Sequence, residues 1–207
     1  IVKTWDYVDE NGDLLFQVCR LENGMTGADG KPEKSYRQRR PDPEQRDGWT
    51  WKTKGIRLVP YRLPEIMEEI ANGHTIYVVE GEKAADRLWN EGVPATTNAR
   101  GAGKWTDDLN PFFKGARVVV IPDNDPQAKN RDGSPKFHPD GRAVHVGYDH
   151  AVDVATALSP IAKEVKFLEL PDLPPKGDVV EWFDDLGGDV DKLYSLAGKV
   201  RKFEPAP

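Results

Sequence analysis

Cysteine is almost missing: Cys19 is the single example in 207 residues. One thiol excludes an internal disulfide and any zinc site built from several cysteines. Long hydrophobic runs are missing too. No stretch approaches the roughly 20 apolar residues that cross a bilayer. The opening residues, "IVKTWDYVDENGD", lack the charged-then-apolar layout of a signal peptide. A starting Met is absent, which predicts a piece cut from a longer protein. Repeats and low-complexity tracts are absent as well. The histidines form no ligand pattern: His138, His145 and His150 keep no regular spacing, and the step from His145 to His150 misses the i,i+4 geometry of helical metal sites. All three are expected at the surface or in packing roles. These absences predict a soluble cytoplasmic chain with no membrane partner.

What is present suffices for a folded core. Apolar residues make up 38%, with six Trp, seven Phe and six Tyr, too many for a disordered chain. A mean hydropathy of -0.66 nevertheless asks for polar loops. The net charge of -6 argues against a nucleic-acid partner, but the charge is unevenly spread. Between Lys31 and Arg62, ten Lys and Arg face four Asp and Glu, a local excess of +6, which leaves -12 for the rest.

The chain changes pattern near Asn72. Before it, "TWDYV" and "DLLFQVCRL" flank an Asn11-Gly12 pair, a strong hairpin signal. A polar loop, "ENGMTGADGKPEK", is expected next, followed by short strands in "SYRQR" and "GWTWK" and a helix in "LPEIMEEIANG". After Asn72, strands ("HTIYVVE", "VPATT", "ARVVVIP", "KEVKFLEL") alternate with helices ("EKAADRLWNEG", "GYDHAVDVATALSPIA") and a helical turn ("DDLNPFF"); "DVVEWFDDL" and "DVDKLYSLAGKV" close the chain as helices. That alternation predicts an α/β fold with a parallel sheet covered on both faces, preceded by a small, mainly antiparallel β module. The predicted domains are 1–72 and 73–207. The aperiodic stretch 126–141 reads as an inserted surface loop.

Three acids stand where such a sheet binds ligands, at the carboxyl ends of strands. Glu80 ends "IYVVE", and Asp123 and Asp125 follow "VVVIP". At ~6 Å and an effective dielectric of ~20, each ionised pair costs about 3 kcal/mol. A cation among them removes that cost, and hard oxygen donors suit Mg²⁺ or Mn²⁺. The plainer alternative is a turn, since Asp, Asn and Pro all start turns. Glu80 at the equivalent end of another buried strand favours the site.

"YVVEGEKAADRL", "ATTNARGAGKW" and "VVVIPDNDPQ" together resemble a Toprim domain of the bacterial and phage DNA primase type, with "EGEK" and "DND" similar to primase-helicase proteins of phages and mobile elements. The likeness extends to "KSYRQRR…GWTWKTKGIRLVPYRLPEI", which looks like the primase amino-terminal subdomain, and to "KGDVVEWF". It implies catalytic roles for Glu80, Asp123 and Asp125, a metal set of those three with Asp178, and Mg²⁺ or Mn²⁺ as cofactor. An acid that primases often carry four residues after the Glu is Ala84 here, so Glu82 is expected to substitute. The implied function is primer synthesis on single-stranded DNA from nucleoside triphosphates, by a chain fused to or working with a replicative helicase. The alternatives are a Toprim nuclease and a non-catalytic single-strand-binding module.

The remaining signals are more local. "GAGK" is not a P-loop, because Asn98 replaces the first glycine and Trp105 the Ser or Thr. Lys104 in that Gly-rich turn, and Lys83 after the metal Glu, are candidates for nucleotide phosphates, each balanced against a purely structural role. Arg37, Arg39, Arg40, Lys52, Lys54 and Arg57 are candidates for a nucleic-acid strand. Trp49 and Trp51, interleaved with them, are expected in the core of the small module.

Overall fold

A computed structural model describes residues 1–27, 30 and 32–206. Its first sheet is antiparallel, built in chain order from β1 (Lys3–Val8), β2 (Leu14–Thr26), β3 (Pro32–Pro41) and β4 (Trp49–Thr50). The β1–β2 turn forms where Asn11-Gly12 predicts it. Gly12 takes a φ of 88°, and Asp9 Oδ1 accepts from the N–H groups of Asn11 and Asp13. Alternation then sorts β1: Trp5 and Tyr7 point inward, with Tyr7 stacked on Phe16 at 4.5 Å.

The expected polar loop after this hairpin is largely strand. β2 runs on to Thr26 and pairs with a long β3, so only a short connection remains. Polar residues serve here because both strands are exposed on this stretch and bury nothing.

Helix α1 (Leu63–Ala71) joins the two sheets, buries Leu63 and Ile66, and ends at Gly73, whose φ is 78°. The second sheet is wholly parallel, in the order β6 (Ala95–Thr96), β5 (Thr75–Val78), β7 (Arg117–Val120), β8 (Glu164–Phe167). The two central strands, β5 and β7, carry buried apolar runs at 76–78 and 118–120, because helices cover both faces of the sheet. Those helices are α2 (Glu82–Asn90), α3 (Val146–Leu158), α4 (Val179–Asp184) and α5 (Val190–Lys199), with a 3₁₀ segment at Asp107–Phe113. The insertion after Asp125 lies on the surface as expected, folded on itself through bridges Lys129 to Pro135 and Phe137 to Ala143.

One core runs through both sheets, from Trp5, Tyr7 and Tyr61 to Ala85 and Leu88 of α2. Polar contacts reinforce this junction. Asp86 accepts from Trp5 Nε1 and Tyr61 Oη, both at 2.9 Å, and from Lys3 Nζ at 3.3 Å. Among the described residues, no helix is long and apolar enough to cross a membrane.

Candidate metal centre and the basic face

β5 and β7 are direct neighbours, in register from Thr75 with Arg117 to Val78 with Val120. Their carboxyl ends therefore deliver Glu80 and Asp123 side by side. Gly81 turns the chain from Glu80 into α2 with a φ of 82°, a conformation that a side chain resists. Its N–H donates to Thr97 Oγ1 at 3.0 Å. Asn124, between the two aspartates, is the anchor for "LPDLPPKG" (170–177), a proline-stiffened connector that leads to Asp178. Its Nδ2 donates to the carbonyls of Leu173 and Pro174, and its backbone pairs with Lys176 and Gly177. That clamp sets Asp178 beside Asp123, where Asp178 also caps α4 by accepting from Glu181 N.

The fourth side of the cluster is the first turn of α3. Gly147 N–H donates to Asp125 Oδ2 at 3.0 Å. A Cβ placed on Gly147 would lie 3.1 Å from Asp123 Cβ, 3.1 Å from Asp125 Oδ2 and 3.2 Å from Glu80 Oε2. Three acids from two strand ends thus surround one point, and the glycine keeps that point clear.

Crowding shifts their protonation. Asp123 is pushed from 3.8 up to about 8, first by burial and then by the charges of Glu80, Asp178 and Asp125. Burial and then Asp125 raise Glu80 above its ordinary value. Glu80 Oε2 is buried with no hydrogen-bond partner, which costs free energy unless something positive meets it. The donor set fits Mg²⁺ or Mn²⁺: oxygens only, on half-buried and mutually repelling side chains, with Glu80 Oε2 orphaned. Among the described residues, no three His, Cys, Asp or Glu close into a ready-made cage. Magnesium does not need one, because it keeps several waters and takes one or two carboxylates.

Glu82 is not brought to this cluster. It is buried on the opposite side of the turn, where Tyr7 Oη donates to its Oε1 at 2.8 Å. The turn at Gly81, with its φ of 82°, separates Glu80 from the first residue of α2 and sends the Glu82 side chain toward the first sheet. Ala84 lies in the core at 2% exposure, which leaves no room for an acid there. Lys83 and Lys104 are both exposed, Lys83 on α2 and Lys104 beyond the Gly101–Gly103 turn.

The basic candidates divide. Arg37 lies over the Trp51 ring at 4.4 Å, and Arg39 over Trp49 at 3.9 Å, while Arg40 Nε donates to Lys52 O. Arg37 and Arg39 share one face of β3 with Trp49 and Trp51, whereas Arg40, the next residue along the strand, points to the other face; Lys52 and Lys54 are exposed nearby. Trp49 and Trp51 are therefore not in the core as expected. Trp51 is 37% exposed, and cation–π contact with the arginines takes the place of apolar packing. Arg57 stands apart, held by both carboxylate oxygens of Glu10.

Several residues at the site escape sequence reasoning. His150, expected at the surface or in packing, is buried at 6% exposure beside the acids, and its Nε2 meets Asn98 Oδ1 at 3.0 Å. Gly147 is separated from Asp125 by the insertion, so the usual short spacing that would expose its role is lost. Arg100 and Lys176 hold positive φ values of 78° and 70° in the two loops flanking the acids. Arg100 Nε also reaches Gln38 Oε1 on the face of β3 opposite Arg37 and Arg39, tying that strand to the loop after β6. No local sequence signal marks either.

No family model matches the sequence, and no curated protein matches it. Among solved structures, the chain is similar to the Aquifex aeolicus primase with its zinc-binding and RNA polymerase domains, at 18% identity and a TM-score of 0.60, covering 97% of this chain and 40% of that one. It is similar to a DNA primase domain from Pseudomonas aeruginosa, at 16% identity and a TM-score of 0.57, covering 96% and 51%. A third is a DnaG primase catalytic domain bound to single-stranded DNA, at 15% identity and a TM-score of 0.53, covering 96% and 53%. The chain spans about half or less of each of these structures. The likeness shows the fold, that of a primase-type Toprim core.

Proposed function

We propose that this chain is the catalytic part of a DNA primase of the phage or mobile-element type, joining ribonucleotides on a single-stranded DNA template. The observation that carries this is the convergence of Glu80, Asp123 and Asp125 on one point at the first turn of α3. In this reading, residues 1–72 form a small template-holding module and 73–207 the catalytic one. Asp123 and Asp125 would hold Mg²⁺ or Mn²⁺, with Glu80 and Asp178 beside them. When bound, the cation supplies Lewis-acid stabilisation of the charge that develops on the transferred phosphoryl group.

The protein's own groups do the positioning. Gly147 N–H fixes the Asp125 carboxylate, and the Asn124 clamp fixes Asp178. Glu80, held at raised pKa in a partly dry site, is suited to accept a proton from a 3′ hydroxyl. Lys83 and Lys104, both exposed, serve the triphosphate. Arg37 and Arg39, with Lys52 and Lys54, track the template phosphates, and Trp51 offers part of an aromatic face to a base. A replicative helicase, fused or separate, would supply the unwound strand.

The test is template-directed incorporation of ribonucleotides on single-stranded DNA with Mg²⁺ or Mn²⁺. Short products that vanish in Asp123→Asn support the proposal. Products undiminished by that change, or strand nicking in place of synthesis, overturn it.

A further inference from the structure

His150 sits one helical turn beyond Gly147 on α3, so both face the acids. Its surroundings fix its chemical form. Asn98 Nδ2 donates to the carbonyls of Ala99 and Gly101, both at 3.0 Å. Turning the amide over would set its oxygen against two carbonyl oxygens. Asn98 Oδ1 is therefore the acceptor, and His150 Nε2 must carry the hydrogen between them. Burial disfavours a second proton on the ring and lowers the pKa of His150. Nδ1 is left as a bare lone pair, buried and without a partner.

A second orphan belongs to a residue lining the same small cavity. Glu80 Oε2 is also buried and unpartnered, and Glu80, Asp123, Gly147 and His150 share one small cavity with apolar side chains. That cavity measures about 10 Å³, close to what one water molecule needs. Two acceptors cannot satisfy each other, whereas one water has a hydrogen for each.

We infer that His150 is a positioning residue for Glu80, its Nδ1 and Glu80 Oε2 sharing a single buried water while Asn98 locks the imidazole in place. The inference rests on the proposed role of Glu80 at the metal and assigns to that site a supporting pair, Asn98 and His150. Its effect is to hold the Glu80 carboxylate in one orientation against the repulsion of the aspartates.

Two measurements on the full chain test it. A long-range ¹H–¹⁵N correlation spectrum of the metal-free protein at neutral pH should show His150 protonated at Nε2 only; a proton on Nδ1 overturns the inference. His150→Asn can set its amide oxygen near the Nδ1 position, whereas His150→Gln can set its amide nitrogen near the Nε2 position, donating to Asn98 Oδ1 while leaving no acceptor at the Nδ1 position. With folding checked by circular dichroism, His150→Gln should bind Mn²⁺ about tenfold more weakly than His150→Asn. Equal affinities, or the reverse order, assign His150 to Asn98 alone and overturn it. If the unaltered chain binds no Mn²⁺ at all, the proposed function falls, and the nitrogen spectrum alone then decides the state of His150.

Discussion

Asp123 is the residue on which the site's electrostatics turn, because its carboxyl, raised to about 8, holds a proton that a bound cation must displace. Mn²⁺ affinity should therefore tighten as pH rises, by about tenfold per unit below about 8, and level off above it. Isothermal titration across pH 5.5 to 9 checks this. Stability without metal runs the other way. The folded chain keeps a proton that the unfolded chain releases above 3.8, so this contribution is fully present below 3.8 and lost as pH rises through about 8. Asp123→Asn should accordingly abolish metal binding yet stabilise the metal-free fold at pH 7 by about 2 kcal/mol, less than the full shift implies because the group is partly solvated. Urea denaturation measures that gain. Gly147→Ala offers a complementary test. Alanine favours the helix by ~1 kcal/mol, but its methyl would crowd the three acids, so folding should survive while Mn²⁺ affinity falls. The three acids were legible in sequence because strand-end carboxylates interrupt an apolar run. Gly147 and His150 were not, because their partners lie on elements that only tertiary folding brings together.

At the scale of elements, α2 decides how the two sheets meet. Its Glu82 and Asp86 face β1, and Asp86 takes hydrogen bonds from Trp5, Tyr61 and Lys3. Asp86→Ala leaves the Trp5 and Tyr61 donors unmatched and should cost about 2 to 3 kcal/mol in urea denaturation. The same face explains why Glu82 misled sequence reasoning. An acid two residues after Glu80 looks like a ligand until the left-handed turn at Gly81 sends it toward Tyr7. Helices and buried strands were readable from periodicity. Trp49 and Trp51 were not, because an aromatic in a short strand looks the same whether it meets a core or an arginine. Changing both to Ala should leave stability within ~1 kcal/mol and weaken single-stranded DNA binding by about 1 to 3 kcal/mol per stacked base, as read by fluorescence anisotropy.

Across the whole molecule, charge is segregated. A chain of net charge -6 carries a basic face on β3 and β4 and an acidic cluster at the parallel sheet's edge, with the Arg100 contact to Gln38 between the two sheets. Binding of single-stranded DNA should weaken steeply with salt, and Arg37→Ala should lower that slope by about one. The alternating strands and helices made this architecture predictable, while the joining of both sheets through one core was not, since no local pattern encodes a contact between β1 and α2. The position of a bound cation is the most direct test of the three-acid site. Anomalous diffraction from crystals soaked in Mn²⁺ should show a peak at coordinating distance from Asp123 and Asp125, with Glu80 alongside. Peaks confined to other surfaces, with Glu80 turned away from the aspartates, would contradict it.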